Sequence, residues 1–543
     1  MFIKLNKSKN RTYVQLVRAY RQDGRNKHEV LFNFGCLEDL QRTPSFKNIA
    51  NKLLELAGIQ TVFRSINITQ EAEIFNWGYW VYKKLWEKFK LDEVLMQIQT
   101  REGKSKFDFN TACFLMATQH LLSPGSKLNA YDHQERYARM PEVDLNHLYR
   151  SLDILCDHKE VIEAHLFTMN RDLFNMQVDV VFYDVTTFHF ESVVKDEVRN
   201  FGFSKANKIN ETQVVLGMLT DCEGRPIGYE LFSGNTFEGK TLEKALEKIE
   251  KRFGIRKVII VADRGMNSKL NLKKISDKGY GYVVSSRIKN LKKVVQEEIF
   301  TLDSYSTLTH EGSEVRYKII DYVNVVKCDH KRIKLPEKLI VTYSEKRALK
   351  DKSDRERLLG KAEFLLANPA LIKSSHKRGG KKYLKEVGNT HWVLDQAVLM
   401  KDEKFDGYYA IQTNEHHLEV ETILEAYHTL WKIEESFRIM KSTLEVRPIF
   451  HWTHHRIKGH FVVCFLAFLL ERTLEFKLRE NQISATPDKI REAINAMQFA
   501  AIEWDNQRLF VKTKGTELGS KILRMLRIQP PKNVTPVNEV TDD

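Results

Sequence analysis

The sequence predicts an α/β fold in which a mixed-sheet core is interrupted by a β-rich insertion and preceded by a mainly helical N-terminal region. At 543 residues the chain is longer than one core supports, so we expect roughly two to four domains. Apolar residues recur at three- and four-residue spacing between about 45 and 175, which is typical of helices. From 176 onwards, runs of β-branched and aromatic residues alternate with helical patterns, which is typical of a sheet covered by helices.

The N-terminal region divides into two parts. Residues 1–44 predict a small β-hairpin unit, because Asp23-Gly24 separates two alternating runs. Residues 45–175 predict a helical domain. Its helical periodicity is strongest around 75–98, 108–122 and 145–175. The domain is partly basic but has no clear helix-turn-helix pattern, so DNA binding and scaffolding both stay open as its role.

Residues 176–289 predict the first part of the core. Its elements, in order, are a strand at about 178–190, strands of a hairpin at 212–219 and 226–232, a helix at 239–253, a strand at 257–262, a helix at 268–278 and a strand at 280–286. This β-β-β-α-β-α-β order matches an RNase H-like core, in which the first and fourth strands lie side by side.

The core is then interrupted and resumes. Residues 290–403 mix β-like runs with a charged helix and predict an insertion subdomain, and residues 404–510 predict the second part of the core. Helices are predicted near 346–367, 417–445 and 456–480. The C-terminal tail, 511–543, is expected to be short, polar and disordered past Pro530-Pro531.

Composition restricts the partners. Lys and Arg number 86 against 72 Asp and Glu, a formal charge of +14, which favours a polyanion through counterion release. The six cysteines form no C-x-x-C pair, which argues against a zinc knuckle or a disulfide framework and fits a reduced cytosol. The longest apolar run, 461–470, is about half a membrane span, so we expect a buried helix and no membrane partner. No signal peptide or glycine-rich phosphate loop is present, so no nucleotide cofactor is expected.

Three carboxylates stand among apolar neighbours: Asp184 and Asp263 on predicted strands, and Glu434 on a predicted helix. Each aspartate alone could be a strand-end or turn-capping residue. On adjacent strands, however, two carboxylates repel each other unless a cation bridges them. Two Mg²⁺ ions, or Mn²⁺ in their place, would supply that cation and activate oxygen nucleophiles in phosphoryl transfer.

The helix that carries Glu434 has a distinctive face. Tyr427, Glu434 and Lys441 are spaced by seven residues, almost two full turns, so we expect them to share one face of the helix, with Arg438 beside them. Such a face can ligate metal and contact phosphates. A solvated face with helix ion pairs is the alternative. Glu435 points about 100° away and is the weaker candidate.

Together these motifs resemble the DDE transposases of bacterial insertion sequences, in the branch marked by a Tyr-x2-Arg-x3-Glu-x6-Lys signature. The resemblance spans about 180–470. Its motifs are Tyr183-Asp184-Val-Thr-Thr, Gly202-Phe-Ser-Lys205, Gly234-Asn-Thr, Ala262-Asp263-Arg-Gly, the segment from Tyr427 to Lys441, and Arg447-Pro-Ile-Phe-His.

The resemblance implies roles for individual residues. It implies that Asp184, Asp263 and Glu434 bind the metal ions and that Tyr427 and Lys441 contact DNA. Further DNA-binding candidates are Arg438, Lys205 and Trp392. The signature arginine is replaced by Leu430, so its phosphate contact is missing or comes from Lys432 or Arg438.

Two features have competing interpretations. In relatives, an aromatic residue of the insertion can stack on a flipped base during hairpin formation. Trp392 is the candidate for that role here, and packing in the insertion's own core is the favoured alternative. Four histidines follow the catalytic segment: His451, His454, His455 and His460. Phosphate contact or helix capping is favoured over a zinc site, because their spacing lacks a familiar ligand pattern and no cysteine joins them.

The resemblance implies a metal-dependent DNA transposase that binds the terminal inverted repeats of its element and catalyses strand cleavage and transfer by a cut-and-paste route. It would act as a dimer in a synaptic complex with double-stranded DNA, in the bacterial cytoplasm and associated with the nucleoid. Two alternatives stay open: an RNase H-like nuclease or resolvase that cuts without joining, and a DNA-binding protein that has lost turnover.

Overall fold

The structure is a computed structural model of the 543-residue chain. It describes all residues except 9–10, 23, 43, 59–71, 104–106, 175–179, 191–193, 203–210, 222, 237–239, 243, 246, 248–252, 254–257, 264, 302–303, 311–312, 329, 376–378, 389–390, 448, 505–506 and 541–543. The chain forms two compact units. The smaller comprises Met1–Ile74, Phe499–Lys512 and Pro531–Thr541, and the larger comprises Phe75–Gln498 and Thr513–Pro530.

The smaller unit is built on antiparallel strands. Its N-terminal part contains β1 (Phe2–Ser8), β2 (Arg11–Gln22), β3 (Arg25–Cys36), α1 (Leu37–Arg42) and α2 (Pro44–Leu56). Gln22 pairs with Arg25, and Gly24 between them has a φ of 73°, the left-handed conformation that glycine adopts without strain. Strand β4 (Ile74–Asn76) follows at the unit boundary.

The larger unit begins with a layer of helices. They are α3 (Trp80–Lys88), α4 (Leu91–Glu102), α5 (Phe109–Leu122), α6 (Lys127–Asp132), α7 (Leu145–Asp157) and α8 (Lys159–Phe174). Side chains one residue ahead of three of these helices cap them: Asp108 for α5, Ser126 for α6 and Asp144 for α7.

A nine-stranded mixed sheet forms the core of the larger unit. Its strands are β5 (Val180–His189), β6 (Gln213–Thr220), β7 (Pro226–Ser233), β8 (Ile259–Ala262), β9 (Gly281–Ser285), β10 (Ser306–His310), β11 (Ser313–Cys328), β12 (Lys331–Tyr343) and β15 (Tyr408–Thr413). Their spatial order is β10-β11-β12-β15-β9-β8-β5-β6-β7. Strands β5, β6 and β7 pair antiparallel, whereas β8 runs parallel to β5 and β9 parallel to β8. The predicted mixed α/β core is therefore confirmed.

The predicted insertion differs from an isolated subdomain. Strands β10 to β12 belong to the core sheet, because β12 pairs antiparallel with β15 from Lys338 opposite Thr413 to Tyr343 opposite Tyr408. The rest of this segment contains α10 (Lys293–Phe300), α11 (Glu345–Ala367), β13 (Leu384–Val387), β14 (His391–Leu394) and α12 (Gln396–Glu403), after α9 (Lys269–Asp277) of the core. A small apolar cluster joins α11 to the β13–β14 hairpin.

The C-terminal part of the chain completes both units. Its elements are α13 (Val420–His428), α14 (Trp431–Arg438), a π-helix (Ile439–Thr443), α15 (His454–Glu480), α16 (Pro487–Asn495), β16 (Gln498–Trp504), β17 (Gln507–Lys512), α17 (Glu517–Leu526) and β18 (Val534–Pro536). Strand β18 pairs with β17, so the expectation of disorder past Pro531 is wrong there. The apolar run 461–470 lies buried within α15, as predicted. Within the described residues, no helix is long and apolar enough to cross a membrane.

Candidate active site

Two aspartates lie at the centre of the core sheet. The parallel register pairs Tyr183 of β5 with Ala262 of β8, so Asp184 and Asp263 are the next residues of two neighbouring strands. Both side chains are half-buried. Asp184 Oδ1 accepts from its neighbour's amide, Val185 N, at 2.7 Å. Asp263 Oδ1 accepts from the amide of Gly265 at 2.6 Å, as expected at a turn.

Alternation along β5 determines which way Asp184 faces. Tyr183 and Val185 belong to the apolar cluster on one side of the sheet. Side chains of a strand alternate between faces, so Asp184, Thr186 and Phe188 lie on the other side. There the ring of Phe188 contacts Phe461 of α15, with centroids 5.5 Å apart. The site therefore lies between the sheet and the C-terminal helices.

Glu434 is supplied by α14, which packs against β5. The helix buries Ile433 and Phe437, while Glu434 is exposed. Within the described part of the chain, no hydrogen bond or ion pair engages the Glu434 carboxylate. Its neighbour Glu435 instead pairs with Arg472 at 3.3 Å and with Arg438 at 3.4 Å. Of the two adjacent glutamates, Glu434 is thus the one available to a ligand.

The segment that carries Glu434 is not the single helix predicted over 417–445. The helical structure is interrupted at Thr429 and Leu430, where the hydrogen bonds are of the tighter i→i−3 type: Leu430 N to Tyr427 O, and Ile433 N to Leu430 O. It then widens into the π-helix, in which Leu444 N donates to Ile439 O. Because both changes alter the rotation per residue, a spacing of seven no longer guarantees a shared face.

Lys441, on the π-helix, reaches the sheet beside Asp184. Its Nζ donates to Thr186 Oγ1 and lies 5.6 Å from the centroid of the Phe188 ring. Thr186 is two residues along β5 from Asp184 and therefore on the same face. The structure thus brings Lys441 to the strand face that carries the first aspartate.

Tyr427 lies beside the strand end that carries Asp263. Its hydroxyl hydrogen-bonds with those of Tyr409 and Ser285, the last residue of β9. Its ring centroid is 5.6 Å from that of Tyr409. Burial raises the pKa of Tyr427 well above its usual value, and the negative charge of Asp263 adds to the rise. Tyr427 is therefore a neutral hydroxyl at physiological pH.

Sequence patterns predicted no role for four residues at this site: Thr186, Ser285, Tyr409 and Arg347. The Arg347 guanidinium lies 4.5 Å from the centroid of the Tyr409 ring, which in turn packs on Tyr427. Arg347, Tyr409 and Ser285 line a cavity of about 280 Å³. Alternation along β5 would have pointed to Thr186, but the other three are joined to the site only by long-range packing.

The remaining predicted DNA contacts lie elsewhere. Arg438 is exposed and borders a second cavity, of about 750 Å³. Trp392 is half-buried against the cluster between α11 and β13–β14, with Lys381 Nζ 5.6 Å from its ring centroid. Leu430 is buried, and Lys432 pairs with Glu223 at 3.4 Å. Lys205 lies outside the described residues.

The donor set fits a hard divalent cation. Asp184, Asp263 and Glu434 offer only carboxylate oxygens, which suit Mg²⁺ better than softer metals. The ligand atoms of these three residues do not all lie within 4.8 Å of one another. Among the described residues, the groups of three with ligand atoms within 4.8 Å of one another are two others, His120–His460–Cys464 and Cys156–Asp157–His455.

Comparisons with known proteins agree with these motifs. The model of the transposase DDE domain family matches residues 177–470, more than half of the chain, and that of the IS1634 family transposase N-terminal domain matches residues 3–62. No curated protein matches.

Two solved structures show a distant likeness. The cryo-EM structure of the piggyBac transposase synaptic complex with hairpin DNA is 9% identical, with a TM-score of 0.37, and the match covers 80% of this chain and 82% of that one. The Mos1 transposase paired-end complex with left transposon end is 11% identical, with a TM-score of 0.15, and the match covers 33% and 58%. At these TM-scores neither likeness carries weight for function.

Proposed function

Because the chain belongs to the family of transposases with a DDE domain, we propose that it binds the terminal inverted repeats of its own element and moves that element by a cut-and-paste route. The chain is a DNA transposase that depends on divalent metal. One observation carries the assignment of its site: the parallel pairing of β5 and β8, which supports Asp184 and Asp263 as neighbouring metal ligands.

The proposed metal ligands are Asp184, Asp263 and Glu434. The adjacent strand positions support the two aspartates, and the exposed carboxylate of Glu434, on a helix packed against β5 and without a hydrogen bond or ion pair among the described residues, supports the third. Two Mg²⁺ ions, or Mn²⁺ in their place, would activate the attacking oxygen and stabilise the leaving one. The proposed role of the three carboxylates is to hold the divalent charge that cleavage of the phosphate would require.

Other residues position the DNA. Lys441 is the proposed contact for a phosphate next to the cleaved bond, supported by its place on the Asp184 face of the sheet. Tyr427 is the proposed neutral donor on the Asp263 side. Arg438, exposed one turn after Glu434, is the proposed contact for a more distant phosphate and takes over from the missing signature arginine. Lys205 stays a proposed DNA contact on the resemblance alone, whereas for Trp392 packing in the insertion is favoured over stacking on a base.

The proposed reaction has two stages. In the first, water attacks the phosphorus at the element end, the bond to the 3′ oxygen breaks, and a 3′-hydroxyl is left on the element. In the second, this hydroxyl attacks a phosphorus of the opposite strand, which gives a hairpin, or a phosphorus of the target DNA. In either case another 3′ oxygen leaves that phosphorus. Each step exchanges one P–O bond for another, so no covalent bond to the protein is needed.

Joining two ends requires that they meet in one complex. We propose at least a dimer on DNA, which the formal charge of +14 would help to hold there. We place this complex in the bacterial cytoplasm, on the nucleoid.

The test uses the purified full-length chain, Mg²⁺ and labelled DNA carrying the repeats that flank its gene. We expect cleavage at the repeat ends and, with precleaved ends and a target plasmid, joined products. Cleavage without joined products would favour a nuclease or resolvase. Binding without cleavage at any metal concentration would favour a DNA-binding protein that has lost turnover.

A further inference from the structure

A second cluster of metal-ligating side chains lies away from the carboxylates. It consists of His120 on α5 and of His460 and Cys464 on α15. His460 and Cys464 are four residues apart and so share one face of their helix. The three side chains are at most 4% exposed. Because Cys464 lies beside His460 and His120, one of the two reasons against a zinc site, the lack of a cysteine among the histidines, does not hold.

The geometry is close to that of a metal site. Cys464 Sγ lies 3.9 Å from His120 Nε2 and 4.0 Å from His460 Nδ1. Tetrahedral zinc with bonds of about 2.3 Å to sulfur and about 2.0 Å to nitrogen separates these donors by roughly 3.5 Å. Cys464 Sγ also lies 3.5 Å from His460 Nε2, and the three ligand atoms lie within 4.8 Å of one another. Binding of zinc would therefore draw the donors closer and turn the His460 ring.

The other ring nitrogens are held as they are in metal sites. His120 Nδ1 donates to the carbonyl of Leu444 at 3.0 Å, and His460 Nε2 donates to the carbonyl of Val446 at 3.1 Å. An imidazole whose N–H is bound to a backbone carbonyl presents its second nitrogen as a lone pair in a defined direction. The nitrogens left to bind a metal are therefore His120 Nε2 and His460 Nδ1.

Lys127 competes for one of these donors. Its side chain is buried, and its Nζ lies 3.1 Å from His120 Nε2. A zinc ion bound at His120 Nε2 would have to displace this lysine contact.

We propose that His120, His460 and Cys464 bind one Zn²⁺ ion at a site distinct from the carboxylates of the active site. Two nitrogen donors and a thiolate select zinc over magnesium. On binding, the Cys464 thiol gives its proton to solvent as the Zn–S bond forms. The buried ring of His451 lies beside the site, with its centroid 5.2 Å from that of His460.

The site would fix the segment that ends the catalytic helices. Leu444 and Val446, whose carbonyls hold the two histidines, directly follow the π-helix that carries Lys441. Zinc would therefore tie α5 and α15 to this segment. The proposal does not rest on the proposed function.

The test measures metal in the full-length chain without DNA. The chain is produced in medium with zinc, dialysed against Mg²⁺ buffer without chelator, and analysed by plasma mass spectrometry. We expect about one zinc per chain in the wild type and in Cys156→Ala, and none in Cys464→Ala. Cys156 is the matched control, because it belongs to the second cluster. With Co²⁺, wild type and Cys156→Ala should show a thiolate charge-transfer band that Cys464→Ala lacks.

Either of two results of this metal analysis overturns the proposal. One is a wild-type chain that retains no zinc, and the other is zinc that is lost from Cys156→Ala but kept by Cys464→Ala. If circular dichroism shows that Cys464→Ala does not fold, Lys127→Met replaces it. Removing the competing charge should tighten zinc binding at least about tenfold, and unchanged or weaker binding contradicts the site.

Discussion

Lys441 donates a hydrogen bond to Thr186, two residues along β5 from Asp184 and on the same face of the strand. This contact joins the π-helix to the sheet at the proposed metal site. A lysine held in this way presents its charge without first having to be ordered, and such pre-organised charge is most effective against charge that develops in the transition state.

Substitutions of Lys441 and Arg438 should therefore have different effects, the first on the rate of cleavage and the second on the binding of DNA. Lys441→Ala should lower the cleavage rate by roughly a hundredfold, because it removes a positioned charge. Arg438→Ala should instead weaken DNA binding and lower the slope of binding against salt by about one, because the contact proposed between the exposed Arg438 and a phosphate is only electrostatic. Single-turnover cleavage and binding at several salt concentrations measure the two effects.

Thr186→Val, a control that keeps the lysine, should lower the cleavage rate only about fivefold. Equal rates for Lys441→Ala and wild type would refute the role of Lys441.

Tyr427 should act as a neutral hydroxyl. Tyr427→Phe keeps the ring against Tyr409 and loses the hydroxyl contacts, so we expect a loss of about 1 kcal/mol in the free energy of unfolding. Because the pKa of Tyr427 is raised, the pH dependence of cleavage should have the same shape in wild type and Tyr427→Phe up to about pH 10. An alkaline limb that disappears in Tyr427→Phe would contradict this assignment.

Trp392 should prove to be a packing residue. Its half-buried ring contacts the cluster between α11 and β13–β14, so Trp392→Ala should destabilise this part by roughly 2 kcal/mol. Nicking of the first strand and formation of a hairpin should then fall alike, as followed on denaturing gels. A loss of hairpin formation alone, by about tenfold, would instead indicate stacking on a flipped base.

Glu471 should make the chain less stable as the pH rises. Burial raises the pKa of Glu471 to about 8 from 4.5, the nearby Glu475 carboxylate adds to the rise, and the hydrogen bond from Tyr82 opposes it. A carboxyl with a raised pKa holds its proton more tightly in the folded state. Its stabilising contribution is complete below about pH 4.5 and is lost as the pH rises to about 8.

Glu471→Gln cannot ionise and still accepts from Tyr82. The free energy of unfolding of this variant, relative to wild type, should therefore increase between about pH 5 and 8, by at most about 1.4 kcal/mol per pH unit. Urea unfolding at both pH values measures the change. Glu480→Gln, at the exposed end of α15, is the matched control and should show no such trend. If the difference in free energy of unfolding between Glu471→Gln and wild type were constant with pH, the raised pKa of Glu471 would be contradicted.

Much of the core could be predicted from the sequence because short local patterns define its strands. The runs that became β5, β8 and β9 are apolar and bounded by turns, and their order along the chain restricts how they can pair. That order placed Asp184 and Asp263 on neighbouring strands, and the register of β5 and β8 is consistent with it. The domain boundaries and the roles of the site residues stay predictions.

The rest could not be predicted because it depends on distant partners. Strands β10 to β12 have ordinary β patterns, and only their pairing with β15 makes them part of the core sheet. Thr429 and Leu430 are not helix breakers, so the interruption before Glu434 has no local signal. His120 and Cys464 are 344 residues apart in sequence. No spacing rule connects residues so far apart.

The most direct test of the central claim compares two adjacent glutamates of one helix. Purified Glu434→Gln and Glu435→Gln are assayed with wild type for Mg²⁺-dependent cleavage of labelled repeat ends, and for binding of the same DNA. We predict that Glu434→Gln binds DNA but cleaves at least about a hundredfold more slowly, whereas Glu435→Gln stays within about tenfold of wild type. Cleavage by Glu434→Gln at the wild-type rate would contradict the assignment of the metal site.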